Sequence, residues 1–189
     1  MIPLIIILVI VVIIIAAIWA TYNSLVKLDE RVNEAWSDIT VQLKRRADLI
    51  PNLVEVVKGY AKHESSAIKD VSEARAKMMG ARSVSDKAAA DNSLTGALSR
   101  LMAVTEAYPE LKANTNFQQL TSEISDTEDK IQAARRFYNA GAKELNTKIK
   151  LFPSNIINNL VGHFKPRDYY EVAESEKEKI DKAPEVKFD

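Results

Sequence analysis

The chain has 189 residues, 26 of them basic and 26 acidic, with no cysteine and a formal net charge of +0. That length accommodates one compact domain besides an anchor, and the balanced charge leaves no electrostatic footprint for nucleic acid. Without cysteine, disulfide and thiol chemistry and a lipoprotein cleavage site are all excluded.

The first element is apolar. From Ile2 to Tyr22 there is no charged side chain and Ile, Val and Leu dominate; the first charge is Lys27. At 1.5 Å per residue this run spans roughly 30 Å, the thickness of a bilayer's hydrocarbon core. A cleaved signal peptide is the rival reading. However, Met1-Ile2-Pro3 carries no basic residue, and the run exceeds the usual apolar region of about 7–15 residues. The expectation is a retained transmembrane helix over residues 1–22. Trp19 and Tyr22 sit where the run meets polar sequence, either as interfacial aromatics or as packing residues. Lys27 and Arg31 follow the span, so the positive charge predicts a cytoplasmic domain and an external N-terminus.

Only five glycines and six prolines punctuate the chain, and the stretches between them repeat at helical spacing. The first helix continues from the anchor through Leu25, Leu28, Val32, Ala35, Trp36, Ile39 and Leu43. Pro51 restricts Ile50 and suits a first turn, predicting an end near Asp48 and a second helix from there. That second helix carries Leu53, Val57, Tyr60, Ile68, Val71, Ala74 and Met78, and stops at Gly80. The small, polar stretch ARSVSDKAAADNS offers Ser85 or Asn92 as the cap of a third helix, which runs through Leu94, Leu98, Leu101 and Val104 to Pro109. In the fourth, Thr115 and Gln118 match a capping box. Phe117, Leu120, Ile124, Thr127, Ile131, Ala134, Tyr138, Ala142, Leu145 and Ile149 then alternate in threes and fours.

The fold class expected is all-α: an N-terminal transmembrane helix continuing into an antiparallel, coiled-coil-like four-helix bundle over residues 23–151. Residues 152–189 follow as a short apolar segment, FPSNIINNLVGHF, and a charged tail, mobile or packed only at Tyr169 and Tyr170. An up-and-down course returns the fourth helix toward the membrane. Phe152, Ile156, Ile157, Leu160 and Phe164 are then candidate membrane-proximal contacts, resting on lipid or capping the bundle core. Lys44, Arg45, Arg46 and Asn52 join Tyr108 at the far end as a candidate partner dock. The plainer role of the basic run is to complement the negative end of its helix.

The sequence resembles the LemA family of bacterial membrane proteins over essentially its whole length. The resemblance lies in YNSLVKLDERVNEAWSDITVQLKRRADLIPNLVEVVKGYAKHE, in LSRLMAVTEAYPELKANTNFQQLTSEISDTEDKIQAARRFYN, and in LFPSN and FKPRDYYE. One departure is Leu145-Asn146, where a second Tyr-Asn pair after Tyr138-Asn139 is expected; a local contact depends on it. The resemblance implies a bundle anchored in the bacterial inner membrane, with its N-terminus outside. It implies no established catalytic activity. It also implies envelope-associated partners, a membrane metalloprotease or TPM-domain proteins, through gene association.

Reactive constellations are not visible in the sequence. Neither His63 nor His163 has the Glu three residues earlier that a carboxylate-bridged metal site in a bundle uses. His63-Glu64 begins a zinc-protease pattern, but Ala67 stands where its second histidine belongs. Ser65 and Ser66 adjoin His63 in sequence, yet adjacent residues on a helix point apart. Gly80, Gly96, Gly141 and Gly162 lack phosphate-loop spacing. No cofactor, metal or enzyme activity is therefore expected. Glu64 falls near a seam, where it either reaches water or bonds a neighbouring helix. The charges at Asp126, Glu128, Asp129, Lys130, Arg135 and Arg136 read as a solvated face or a partner surface.

The functional expectation is a membrane-anchored, non-enzymatic scaffold or adaptor at the cytoplasmic face, in contact with the bilayer and forming a homo-oligomer. The alternatives are a regulator that transmits a state change through the helical rod and a purely structural membrane assembly. Self-association rests on length: a fourth helix of ~50 Å faces a first helix of ~37 Å beyond the anchor, so one must overhang, bend near Gly141 or meet another subunit.

Overall fold

The computed structural model describes residues 1–171. Its helices are α1 (Ile2–Tyr60), α2 (Ser65–Gly80), α3 (Val84–Thr105), α4 (Pro109–Ala113), α5 (Thr115–Lys150) and α6 (Ser154–Ile157), followed by a π-helical turn, Asn158–Gly162. No strand occurs among the described residues. The helical architecture matches the sequence expectation, with one long apolar stretch in the first helix.

The expected end near Asp48 does not occur: α1 is a single 59-residue helix with Pro51 inside it. Proline has no N–H to give the carbonyl four residues earlier, which here is that of Ala47. Arg75 on α2 compensates by donating from Nε to the Ala47 carbonyl at 2.8 Å. Ala47 is 0% exposed, so loss of that bond leaves a largely enclosed carbonyl. Arg75→Met is expected to cost about 1–3 kcal/mol, the penalty for stranding a buried acceptor. Chemical denaturation followed by circular dichroism measures it, with Arg75→Lys retaining part of the loss.

The longer α1 also removes the length mismatch. Residues 23–60 lie beyond the apolar run, about as many as the 36 residues of α5. The predicted second helix is interrupted instead at residues 61–64, and its remainder, α2, ends at Gly80 as expected.

The chain divides into two units. One comprises residues 1–38 and 134–168. Here α1 and α5 run antiparallel: Trp36 stacks on Tyr138 with ring centroids 5.7 Å apart, and Arg31 pairs with Glu144 at 3.3 Å. Between these contacts Gly141 allows close approach, since a Cβ there would lie 3.3 Å from Val32 Cγ2. Leu25, Val32 and Leu145 are at most 1% exposed, and burial of such side chains supplies roughly 1.5–3 kcal/mol each.

The other unit comprises residues 39–133 and, among the described residues, 169–171. Five helices supply its core: Ile39, Leu43, Ile50, Leu53 and Val57 from α1; Val71, Ala74 and Met78 from α2; Leu94, Leu98 and Leu101 from α3; Leu111 from α4; Phe117, Ile124 and Ile131 from α5. α2 and α3 form an antiparallel hairpin whose start is neither Ser85 nor Asn92. Ser83 caps α3, accepting the Asp86 N–H at 3.0 Å, while Asp86 accepts the Ser83 N–H in return. This reciprocal box starts the helix ahead of both expected caps and takes the alanine-rich stretch into it. At the start of α5 the cap is Asn114, not Thr115: its Oδ1 accepts the Phe117 N–H at 3.0 Å.

Candidate membrane-proximal and partner-binding sites

Five predicted membrane-proximal residues lie on or beside the turn that follows α5, and the fold gives them two faces. Ile157 is buried, together with Ser154 and Asn158. Phe152, Ile156 and Leu160 point outward at 78%, 49% and 71% exposure. Phe164 is half-buried and tilts onto Tyr22 of α1 with ring centroids 6.0 Å apart. Tyr22 is thus a packing partner in this unit. Val161 shares a shallow groove with Ile15, Ile18, Trp19 and Tyr22, so the turn lies beside the end of the apolar run.

Asn158 locks the turn. Its amide accepts the Phe164 N–H at 2.8 Å and donates to the Phe164 carbonyl at 3.1 Å, while its own carbonyl accepts the His163 N–H at 2.7 Å. His163 adopts the left-handed conformation at φ 53°. Gly162 leaves no room for a side chain, because a Cβ there would come within 2.8 Å of Asn158 Oδ1.

The chain then continues without helix, and it is more firmly held than the tail expectation allowed. Asn146 clasps the backbone of Arg167, accepting its N–H at 2.7 Å and donating to its carbonyl at 2.8 Å. Leu145 beside it is fully buried. The Leu145-Asn146 departure therefore keeps one half of its pair in packing and the other in a backbone clasp. The Arg167 guanidinium reaches Asp29 at 2.7 Å and Asn33 at 2.9 Å. The Tyr138 hydroxyl donates to the Asp168 carbonyl at 2.8 Å. Tyr169 is 40% exposed and Tyr170 is buried; residues 172–189 of the charged tail lie outside the described residues.

Burial holds the Tyr138 phenol above its ordinary value of 10.0, with Arg167 opposing and Asp168 reinforcing the shift. A raised folded value means the native state keeps the proton longer than the unfolded chain. Its contribution is complete below pH ~10 and is lost as pH rises through the folded value. Tyr138→Phe is expected to flatten the alkaline fall in stability, read from thermal melts between pH 9 and 11.

The predicted partner dock is not assembled. Lys44, Arg45 and Asn52 are exposed, but they lie along the middle of α1, since the helix runs on to Tyr60. The basic run therefore does not complement a helix end. Tyr108 instead donates to Glu64 Oε1 at 3.2 Å, and Asn114 donates to the Tyr60 hydroxyl at 3.0 Å. Glu64 stands at the break before α2 and bonds a neighbouring segment. Burial, followed by the Glu64 charge and hydrogen bond, raises the Tyr108 phenol above 10.0.

Arg46 is the clearest correction. It is 2% exposed and cannot serve as surface. Its Nη1 lies 3.0 Å from Asp91 Oδ1 and 2.6 Å from Glu128 Oε2. Asp91 is 1% exposed, and its other oxygen accepts the Tyr170 hydroxyl at 3.1 Å. A buried cation thus meets two carboxylates, one of which also accepts a phenol hydrogen bond. Sequence reasoning missed this group, although Arg46 lies three residues after Leu43 and Asp91 three before Leu94, both at core spacing. Among the described residues, no group of three or more His, Cys, Asp or Glu side chains is placed to hold a metal ion.

These features define a membrane-associated, all-α protein with a candidate span leading into a helical bundle. The LemA family profile matches residues 35–188, and the chain belongs to the LemA family. It is similar to magnetosome protein MamQ 2 of Paramagnetospirillum magneticum, 28% identical over 182 residues, covering 82% of this chain and 66% of the relative. Magnetosome protein MamQ of Magnetospirillum gryphiswaldense is 26% identical, covering 79% and 64%. Protein LemA of Metamycoplasma hominis is 30% identical over 139 residues, covering 71% and 62%. The chain spans just under two thirds of the length of these relatives.

Proposed function

We propose that the chain is a non-enzymatic scaffold anchored in the bacterial inner membrane, with its N-terminus outside and its bundle in the cytoplasm. The observation that carries this reading is the continuity of α1. Its first turns expose only apolar side chains, and the same helix later supplies Leu25, Ile39, Leu43 and Leu53 to buried cores. An anchor that is also a core element holds the domain at the bilayer without a flexible linker. Lys27 and Arg31 just beyond the run favour the cytoplasmic side.

The surface offered to partners includes Lys44 and Arg45. Lys44 lines a groove with Val41, Met78, Met79 and Lys87, where Val41 and Met79 are more than half exposed. Exposed apolar side chains rimmed by lysine suit a helix with an acidic flank, from an envelope-associated protein or another copy of this chain. The length argument for self-association disappears with the longer α1, so oligomerisation rests on this groove. Relatives named for the magnetosome support a role within a cellular assembly.

Crosslinking in native membranes followed by mass spectrometry tests the reading. Reproducible heterologous partners, lost on Lys44→Glu/Arg45→Glu, support the adaptor; self-crosslinks alone support a structural assembly. Partners that survive the charge reversal place the dock elsewhere. Because the chain has no cysteine, Asp129→Cys also reports sidedness. An impermeant maleimide should label it in inverted vesicles and not in intact spheroplasts.

A further inference from the structure

We propose that the turn from Leu151 to Val161 is inserted into the bilayer beside the end of the apolar run, as a second, interfacial membrane contact. This rests on the reading of residues 2–22 as a membrane span. Within eleven residues, Leu151, Phe152, Ile156, Leu160 and Val161 are 49–78% exposed, a density of bare apolar side chains that soluble surfaces rarely carry.

Position identifies lipid as the occupant. Val161 lines a groove with Ile15, Ile18, Trp19 and Tyr22, so the Val161 end of the turn is level with the last two turns of the apolar run. Ile15 to Tyr22 covers roughly 10 Å of helix rise, comparable to the ~5–10 Å depth at which interfacial apolar faces bury. A turn level with those residues shares their surroundings, and its exposed face continues the surface of the span. Exposed Lys150 and Lys165 flank it, placed to meet anionic headgroups.

The backbone is also suited to an apolar medium, where unpaired polar groups are costly. Pro153 has no N–H. The Asn155 N–H bonds the Leu151 carbonyl at 2.8 Å, and the Ile156 and Ile157 N–H groups bond the Pro153 carbonyl at 3.1 and 3.3 Å. Asn158, itself 5% exposed, satisfies both backbone groups of Phe164. The apolar face is therefore presented on a turn whose shape does not depend on lipid, with Ile157 holding the inner side.

The cysteine-free chain allows a direct depth measurement on the full-length protein in phosphatidylethanolamine/phosphatidylglycerol vesicles. Phe152→Cys and Leu160→Cys carry a nitroxide label, with Ile10→Cys as the reference within the span and Asp129→Cys as the aqueous reference. Both turn labels should collide with oxygen in preference to an aqueous nickel chelate, ranking with Ile10. If they rank with Asp129 while Ile10 remains lipid-like, the insertion is wrong and the span stands. If Ile10 itself is aqueous, the span reading fails too. Shielding from both reagents, with dipolar broadening abolished by unlabelled chain, would show a second copy covering the turn and overturn the proposal.

Discussion

Arg46→Met is expected to destabilise the fold by about 3–5 kcal/mol, the cost of removing one partner from a buried ion pair. The charge on Arg46 is shared between Asp91 at 3.0 Å and Glu128 at 2.6 Å. Glu128 retains 26% side-chain exposure and can turn to water; Asp91, at 2%, cannot. The loss therefore falls mainly on Asp91. Denaturant unfolding of the detergent-solubilised chain measures it. Combining Arg46→Met with Asp91→Leu should be less damaging than Arg46→Met alone, because well-packed apolar replacements of a buried pair are often neutral. If the double variant is additive or worse, the charge account is wrong and Arg46 acts through its packing.

Tyr170→Ala should cost a similar amount, about 3–5 kcal/mol, as truncation of a buried aromatic does. Tyr170 is 1% exposed and is among the largest fully buried side chains. Tyr170→Phe separates the two roles of this residue. It keeps the ring and loses the bond to Asp91, a hydrogen bond to a charged group worth about 1.5–3 kcal/mol. Because Tyr170 and Arg46 both address Asp91, their substitutions should be non-additive, as expected for side chains in one network. Hydrogen exchange at residues 163–171 supplies the local readout: Tyr170→Ala should release protection there before the helices lose theirs. Unchanged exchange would mean that Asn146 and Arg167 hold the segment without it.

The candidate site was legible in the sequence only in outline. Phe152, Ile156 and Leu160 could be placed together because they lie within a few residues of one another and just after a clear helix. Their division from Ile157 depended on Asn158 closing the turn, and the placing of Val161 and Phe164 beside the end of the apolar run depended on how α5 packs against α1. The basic run was equally visible, but its members have different fates. Lys44 and Arg45 reach solvent, whereas Arg46 falls at core spacing between Leu43 and Ile50.

Local pattern alone was enough for the apolar run, the seam of α5 from Phe117 to Leu145, the end of α2 at Gly80 and the family resemblance. These are statements about spacing and hydrophobicity within one stretch of chain. The continuation of α1 through Pro51 belongs to another category, since it needs Arg75 to reach the Ala47 carbonyl from 28 residues away. The start of α3 at Ser83, by contrast, is local: Asp86 three residues on returns its bond, whereas Ser85 and Asn92 have Ala88 and Thr95 at that position. The burial of Arg46 required partners 45 and 82 positions along the chain, and Tyr170 to complete Asp91. A buried charge or an enclosed unpaired carbonyl is tolerable in a helix only if another group compensates it, and a distant one is known only once the helices have packed.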